Sequence, residues 1–214
     1  MKLGCLFDLD GTLVNSIEDL AIATNVVLHR HHLPTHEISQ YNYFVGNGVK
    51  KLIERALGKQ HQDLLDECLK EFYDYYDNHC LDHTRPYDGI KDVVDELVQK
   101  GIKLAVVTNK PHYLAIKIVE SLFPGQFVAI YGQQDLYPTK PNPESAYLAL
   151  IAMRLSKNDC FFIGDSHVDI ETGYQAEMET IGVCWGFRGR QELEEAGADY
   201  VVDCPYEMKE LILR

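Results

Sequence analysis

The chain has no Cys-x-x-Cys pair, no run of eighteen apolar residues and a shortage of positive charge. Each absence excludes something. The six cysteines (Cys5, Cys68, Cys80, Cys160, Cys184 and Cys204) are scattered, which argues against a zinc knuckle and against a disulfide framework. They read as reduced, mostly buried apolar fillers. Without a long apolar run there is no membrane span, and Met1-Lys2-Leu3-Gly4-Cys5 leaves no room for a cleavable signal, so a cytoplasmic protein is expected. Lys and Arg number 20 against 33 Asp and Glu, a formal charge of −13. That balance removes the phosphate attraction on which nucleic-acid binding relies. An anionic small molecule would need a local positive field, built from a metal, a lysine and helix N-termini. No internal repeat or low-complexity tract is present. The 214 residues, 46% apolar, suffice for one good core and a smaller appendage.

What the chain does have is concentrated at its start. An apolar run, Leu3 to Leu9, delivers two aspartates in Phe7-Asp8-Leu9-Asp10-Gly11-Thr12-Leu13-Val14-Asn15-Ser16. Side chains two apart on an extended backbone share a face, so Asp8 and Asp10 can enter one small volume at the exit of a strand. Their repulsion needs a cation or a shared proton to offset it, and a hard metal such as Mg²⁺ suits two carboxylates. The plainer reading is one aspartate ending a strand and another opening a turn with Gly11.

From Thr84 onward short apolar runs alternate with helical patterns, which predicts a parallel sheet covered by helices on both faces. The expected strands are 2–8, 103–108, 127–131, 160–164, 180–184 and 199–202. Residues 16–80 read as wholly helical, over Glu18–His31, Val49–Leu57 and Gln62–Tyr76, and interrupt that alternation. The division expected is an α/β core of residues 1–15 and 81–214, doubly wound and Rossmann-like, with a helical cap domain of residues 16–80 inserted after the first strand. Thr84-Arg85-Pro86-Tyr87-Asp88-Gly89 marks the return.

Three further constellations fall at strand exits, where a doubly wound sheet gathers its ligand site. Thr108-Asn109-Lys110-Pro111 offers a hydroxyl, an amide and free N–H groups, either as an anion cradle or as simple helix-start chemistry. Lys140 lies in Thr139-Lys140-Pro141-Asn142-Pro143-Glu144, a loop stiffened by two prolines; it is a point charge for a phosphate or a carboxylate cluster, or else a solvated surface lysine. Phe161-Phe162-Ile163-Gly164-Asp165-Ser166-His167-Val168-Asp169 brings acids four apart, so that Asp169 returns toward Asp165 if a helix begins near Ser166. Helix capping is a credible reading of Asp169 and a weaker one of Asp165. The turn Gly46-Asn47-Gly48, with Lys50, Lys51 and Arg55 nearby, could meet a substrate carboxylate or simply start a helix with a solvated basic face. His29-Arg30-His31-His32 reads as a helix end favoured by the helix dipole.

Together these residues resemble the haloacid dehalogenase superfamily of phosphohydrolases over nearly the whole chain. Phe7-Asp8-Leu9-Asp10-Gly11-Thr12 matches its first motif, Thr108-Asn109 its second, Lys140-Pro141 its third and Gly164-Asp165-Ser166-x-x-Asp169 its fourth. Within it the chain is most similar to phosphoglycolate phosphatases, through Phe44-Val45-Gly46-Asn47-Gly48-Val49, Arg85-Pro86-Tyr87-Asp88-Gly89 and Gly197-Ala198-Asp199-Tyr200-Val201-Val202-Asp203. Asn15, where an aspartate is common, and Glu171-Thr172-Gly173-Tyr174 depart from the pattern without touching the four motifs.

The resemblance implies that Asp8 is a nucleophile forming an aspartyl-phosphate and Asp10 the general acid and base, with Thr12 holding Asp10 in place. It implies Mg²⁺ held by Asp8, the backbone carbonyl of Asp10 and Asp165, with Asp169 in support. Lys140, Thr108 and the N–H groups of Leu9 and Asn109 would neutralise the transferring phosphate; Asn47, from the Gly46-Asn47-Gly48 turn rather than from the resemblance, is the candidate for reading a substrate carboxylate. The implied reaction is hydrolysis of a small phosphate monoester, with 2-phosphoglycolate first. A phosphosugar, a nucleoside monophosphate, pyrophosphate or phosphomutase chemistry remain alternatives, and a non-catalytic binding protein is a remote one. The expected partner is a small phosphorylated metabolite, with no nucleic acid and no membrane; oligomeric state is not legible.

Overall fold

A computed structural model describes residues 2–214. In chain order it contains β1 (Gly4–Phe7), β2 (Val14–Asn15), α1 (Ile17–Arg30), α2 (Ile38–Phe44), α3 (Val49–Leu57) and α4 (Leu65–His79). Then follow β3 (Arg85–Pro86), α5 (Ile90–Gln99), β4 (Lys103–Pro111), α6 (His112–Leu122), β5 (Ala129–Gln133) and α7 (Glu144–Met153). The chain closes with β6 (Cys160–Gly164), α8 (His167–Gln175), β7 (Glu179–Val183), α9 (Arg190–Glu195), β8 (Tyr200–Val202) and α10 (Pro205–Leu213).

Six strands form one parallel sheet in the order β5-β4-β1-β6-β7-β8. Every residue of β1 and β6 is buried, as expected of strands covered on both faces. Successive side chains leave to opposite sides. Cys5, Phe7, Val106 and Ile163 join Val93 of α5, Ile118 of α6 and Met208 of α10 in one core. Leu6, Ala105, Val107 and Phe162 meet Ala146 and Met153 of α7 in the other. The strand order reverses around β1, with β4 on one side and β6 on the other, and a crevice therefore opens beyond its carboxyl end.

The helices α1 to α4 pack on one another above that edge, around Val27, Tyr41, Leu52, Ile53, Phe72 and Tyr76. Three of them follow the expected pattern, with Val49–Leu57 reproduced residue for residue. The fourth, α2, was not expected: Ile-Ser-Gln-Tyr-Asn-Tyr-Phe is short and largely polar. It is started by the Glu37 N–H donating to Gln40 Oε1 at 3.0 Å. The segments entering and leaving the helical insertion pair as an antiparallel ribbon, Val14 with Pro86 and Asn15 with Arg85. No described helix is long and apolar enough to cross a membrane.

Candidate active site

Phe7 pairs with Val106 on one side and Ile163 on the other, so the exits of β1, β4 and β6 lie side by side. Asp8 stays in register for one more bond, its N–H donating to Ile163 O at 2.9 Å. Beyond it the chain does not continue extended, as the strand expected over 2–8 and the spacing argument supposed. Leu13 N and Val14 N both donate to Leu9 O, and Gly11 takes a φ of +89°, coiling the backbone tightly. Asp8 and Asp10 are thereby handed to two different lysines.

Asp8 faces Lys140, whose Nζ lies 2.9 Å from Asp8 Oδ1 and 2.6 Å from Asp169 Oδ1. Lys140 is buried rather than solvated. Burial alone would strip its proton, but the charges of Asp169 and Asp8 outweigh that and hold its pKa above the ordinary lysine value. The loop that carries it is stapled from β4: Lys140 N donates to Asn109 Oδ1 at 2.8 Å, and Asn109 Nδ2 donates to Lys140 O at 3.1 Å. Asn109 therefore acts through its side chain as well as through the backbone N–H considered in the sequence. Thr108 is buried beside it, its Oγ1 accepting from Lys110 N at 3.3 Å.

Asp165 and Asp169 sit at the end of β6 and in the first turn of α8. Ser166 N and Oγ donate to Asp169 Oδ2 at 3.1 and 2.8 Å, a capping box that fixes the carboxylate facing Lys140. Phe187 N donates to Asp165 Oδ2 at 2.7 Å. Gly11 and Gly186 make room for this side chain: a Cβ on either would fall within 2.4 Å of an Asp165 side-chain atom. The loop after β7 was missed in the sequence, although Trp185-Gly186-Phe187 follows an apolar strand just as the other motifs do.

Asp10 is held differently. Lys110 Nζ lies 3.1 Å from both of its carboxylate oxygens and 2.9 Å from the hydroxyl of Tyr76, and Ser16 Oγ donates to Asp10 Oδ1 at 2.6 Å. Thr12 does not take the role expected of it. Its Oγ1 points to Asp165 Oδ1 at 3.5 Å, because the coil after Asp10 turns it toward β6. Lys110 and Ser16 were both overlooked. Lys110 had a signal, a lysine at the exit of an apolar strand between Asn109 and Pro111; Ser16 gave none beyond its place in the first motif.

A cavity opens between these groups and the helical insertion, lined by Asp8, Asp10, Thr108, Asn109 and Lys110 below and by Leu20, Val45, Gly46, Gly48, Val49 and Leu52 above. About 40 Å³ is open to the centres of water-sized spheres, room for a few waters. Asn47 is not among its lining residues. Its Oδ1 accepts from Arg55 Nη2 at 2.7 Å, and Arg55 Nη1 donates to Phe44 O at 2.8 Å, so this basic patch braces the turn on its outer side. Lys51 is likewise paired outward, with Glu54.

Asp8, Asp165 and Asp169 bring carboxylate oxygens within 4.8 Å of one another, all buried. Three acids share one lysine there, so the donor set is oxygen-only and its charge is under-compensated. Burial, reinforced by the Asp169 charge and opposed by Lys140, raises the Asp8 carboxyl from 3.8 to about 6. Burial followed by the charges of Asp169 and Asp8 raises Asp165 well above the ordinary carboxylate range. A hard divalent cation fits this arrangement, since it supplies the missing positive charge to oxygen ligands.

A family model described as haloacid dehalogenase-like hydrolase matches residues 5–183. A phosphoglycolate phosphatase of Haemophilus influenzae is 33% identical over 206 residues, covering 92% of this chain and 92% of that protein. An N-acetylmuramic acid 6-phosphate phosphatase of Pseudomonas aeruginosa is 31% identical over 212 residues, with 98% and 94% covered. Among solved structures, a protein from Lactobacillus delbrueckii subsp. bulgaricus, provisionally described as a phosphoglycolate phosphatase, superposes with a TM-score of 0.93 at 33% identity, covering 99% of each chain.

Proposed function

The chain belongs to the haloacid dehalogenase-like hydrolases and is a phosphoric monoester hydrolase; from that premise we propose that it hydrolyses 2-phosphoglycolate to glycolate and phosphate through a phosphorylated Asp8. The observation that carries this reading is the pairing of Asp8 with Lys140 inside the cluster of Asp165 and Asp169, with Asp10 held separately by Lys110. In this reading residues 16–80 act as a cap over the site, and the protein works on a small metabolite in the cytoplasm.

Asp8 forms a bond to phosphorus as the bond to the ester oxygen breaks. Asp10 protonates that leaving oxygen, then takes a proton from the water that attacks the phosphorylated Asp8; the Asp8–phosphate bond breaks and free phosphate departs. Lys140, Thr108 and the N–H groups of Leu9 and Asn109 face the phosphate oxygens and offset their charge as it shifts. Asp8, Asp165 and the backbone carbonyl of Asp10 would hold Mg²⁺, with Asp169 in support; the ion supplies further charge neutralisation to the phosphate. The insertion's apolar wall of Leu20, Val45, Val49 and Leu52 excludes water while transfer proceeds.

The relative that acts on N-acetylmuramic acid 6-phosphate makes a phosphosugar the second reading. Phosphate release with Mg²⁺ from a panel containing 2-phosphoglycolate, a hexose 6-phosphate and a nucleoside monophosphate separates the two. Asp8→Asn is expected to abolish turnover and leave no phosphate on the Asp8 peptide. Retained turnover in that variant would overturn the mechanism, and a leading phosphosugar would overturn the substrate.

A further inference from the structure

We propose that Lys110 is the specificity-determining residue, reading an anionic group on the carbon next to the ester oxygen. The inference rests on the phosphatase reading and narrows its substrate to esters of α-hydroxy acids. Among the residues lining the cavity, Lys110 is the one cation; Arg55, Lys51 and the Asn47 turn face outward. Its ammonium group is buried, and its place is fixed from both parts of the fold. Asp10, from the loop after β1, lies 3.1 Å away, and the cap's Tyr76 accepts from Nζ at 2.9 Å with its ring centroid 4.9 Å from the charge. An ammonium has three protons. The two Asp10 oxygens, both 3.1 Å from Nζ, lie on one side of it and share one proton; Tyr76 takes a second, and the third is left for the cavity.

The distances then select the ligand. To be protonated by Asp10, the leaving oxygen must come within about 3 Å of its carboxylate. Lys110 Nζ is 3.1 Å from that same carboxylate, so leaving oxygen and ammonium can be no more than about 6 Å apart. In P–O–CH₂–COO⁻ the carboxylate oxygens lie about 3 Å from the ester oxygen by ordinary bond lengths, which puts one of them within reach of a hydrogen bond from Nζ. An added methylene displaces the charge by more than 1 Å, on the order of one C–C bond. The side chains a sugar hydroxyl meets on the wall above are the apolar ones of Leu20, Val45, Val49 and Leu52.

The test uses the wild-type protein first. kcat/KM is compared for 2-phosphoglycolate, its neutral amide 2-phosphoglycolamide, and 3-phosphooxypropanoate, with p-nitrophenyl phosphate as an ester without a carboxylate. The acid is expected to exceed the amide by about 30-fold, the loss that accompanies removal of a charged hydrogen bond. In Lys110→Met that preference is expected to fall to within threefold, carried mainly by KM, and in Lys110→Arg to be partly kept. Equal turnover of acid and amide by the wild type overturns the inference, as does a preference that survives in Lys110→Met; the wild-type series decides if that variant does not fold. Turnover of p-nitrophenyl phosphate by the wild type but not by Asp8→Asn upholds the phosphatase reading whatever the Lys110 result, so the two failures are distinguishable.

Discussion

As the proposed nucleophile, Asp8 would have to be ionised to act, and it is buried where ionisation is costly. Burial raises its carboxyl to about 6 despite Lys140, and Asp165 is raised with it. The sign of the linkage follows. Between the ordinary value of 3.8 and about 6 the folded metal-free protein binds more protons at Asp8 than the unfolded chain does, so Asp8's contribution to stability falls as pH rises through that window and stays low above it. A divalent cation held by this cluster would bind the ionised carboxylates, and below about pH 6 it would have to displace protons to do so. The rise in Tm given by millimolar Mg²⁺ is therefore expected to be small at pH 5 and clearly larger at pH 7.5. Thermal melts with and without Mg²⁺ at both values check this; an equal gain at pH 5 would mean that the ion binds elsewhere.

At the scale of elements, the helical insertion is tied to the sheet by surprisingly little backbone, the two-residue strands β2 and β3, and one buried side chain carries much of that junction. Asp19, in the first turn of α1, accepts from His83 N at 2.9 Å, from Thr84 N at 2.8 Å and from Thr84 Oγ1 at 2.7 Å, joining the entry of the insertion to its exit. Asp19→Ala leaves those donors without a partner, at an expected cost of about 3 kcal/mol. For a chain of this length that corresponds to a Tm lower by about 6–12 °C. A melt within 2 °C of wild type would show that the junction relies on the ribbon alone. This junction was not legible in the sequence, because two-residue strands carry no periodicity and Asp19 sits sixty-four residues from His83. The parallel strands were legible for the opposite reason: buried on both faces, they are unbroken apolar runs such as Cys160-Phe161-Phe162-Ile163. In the same way Lys140 announced itself through flanking prolines, whereas Ser16 and the true direction of Thr12 depend on how a coil of backbone turns after Asp10, and the Phe187 N–H on the path of the loop after β7. Only the folded chain fixes that.

For the molecule as a whole, a formal charge of −13 repels an anionic substrate, and the positive groups that counter it are gathered where insertion meets sheet. Arg188, on the loop after β7, is mostly buried at this seam. Its Nη2 donates to Val45 O at 3.0 Å, its guanidinium lies 5.4 Å from the Tyr43 ring centroid, and Nε is 3.8 Å from Glu192 Oε1. Asn109 Nδ2 donates to the next carbonyl, Gly46 O, at 3.2 Å. Two donors from the sheet thus grip consecutive residues of the turn that roofs the cavity, and Asn109 also holds the Lys140 loop. Arg188 touches none of the aspartates of the site, so its removal separates closure from chemistry. Arg188→Ala deletes one hydrogen bond from a charged donor, and opening of the roof is expected to become easier by about tenfold. Amide exchange over residues 45–52 should speed up by that factor while exchange in β1 and β6 is unchanged, and KM for a small ester should rise more than kcat falls. If protection over 45–52 stays at the wild-type level, Arg188 is a packing residue and the turn is held closed by Asn109 and the apolar wall alone.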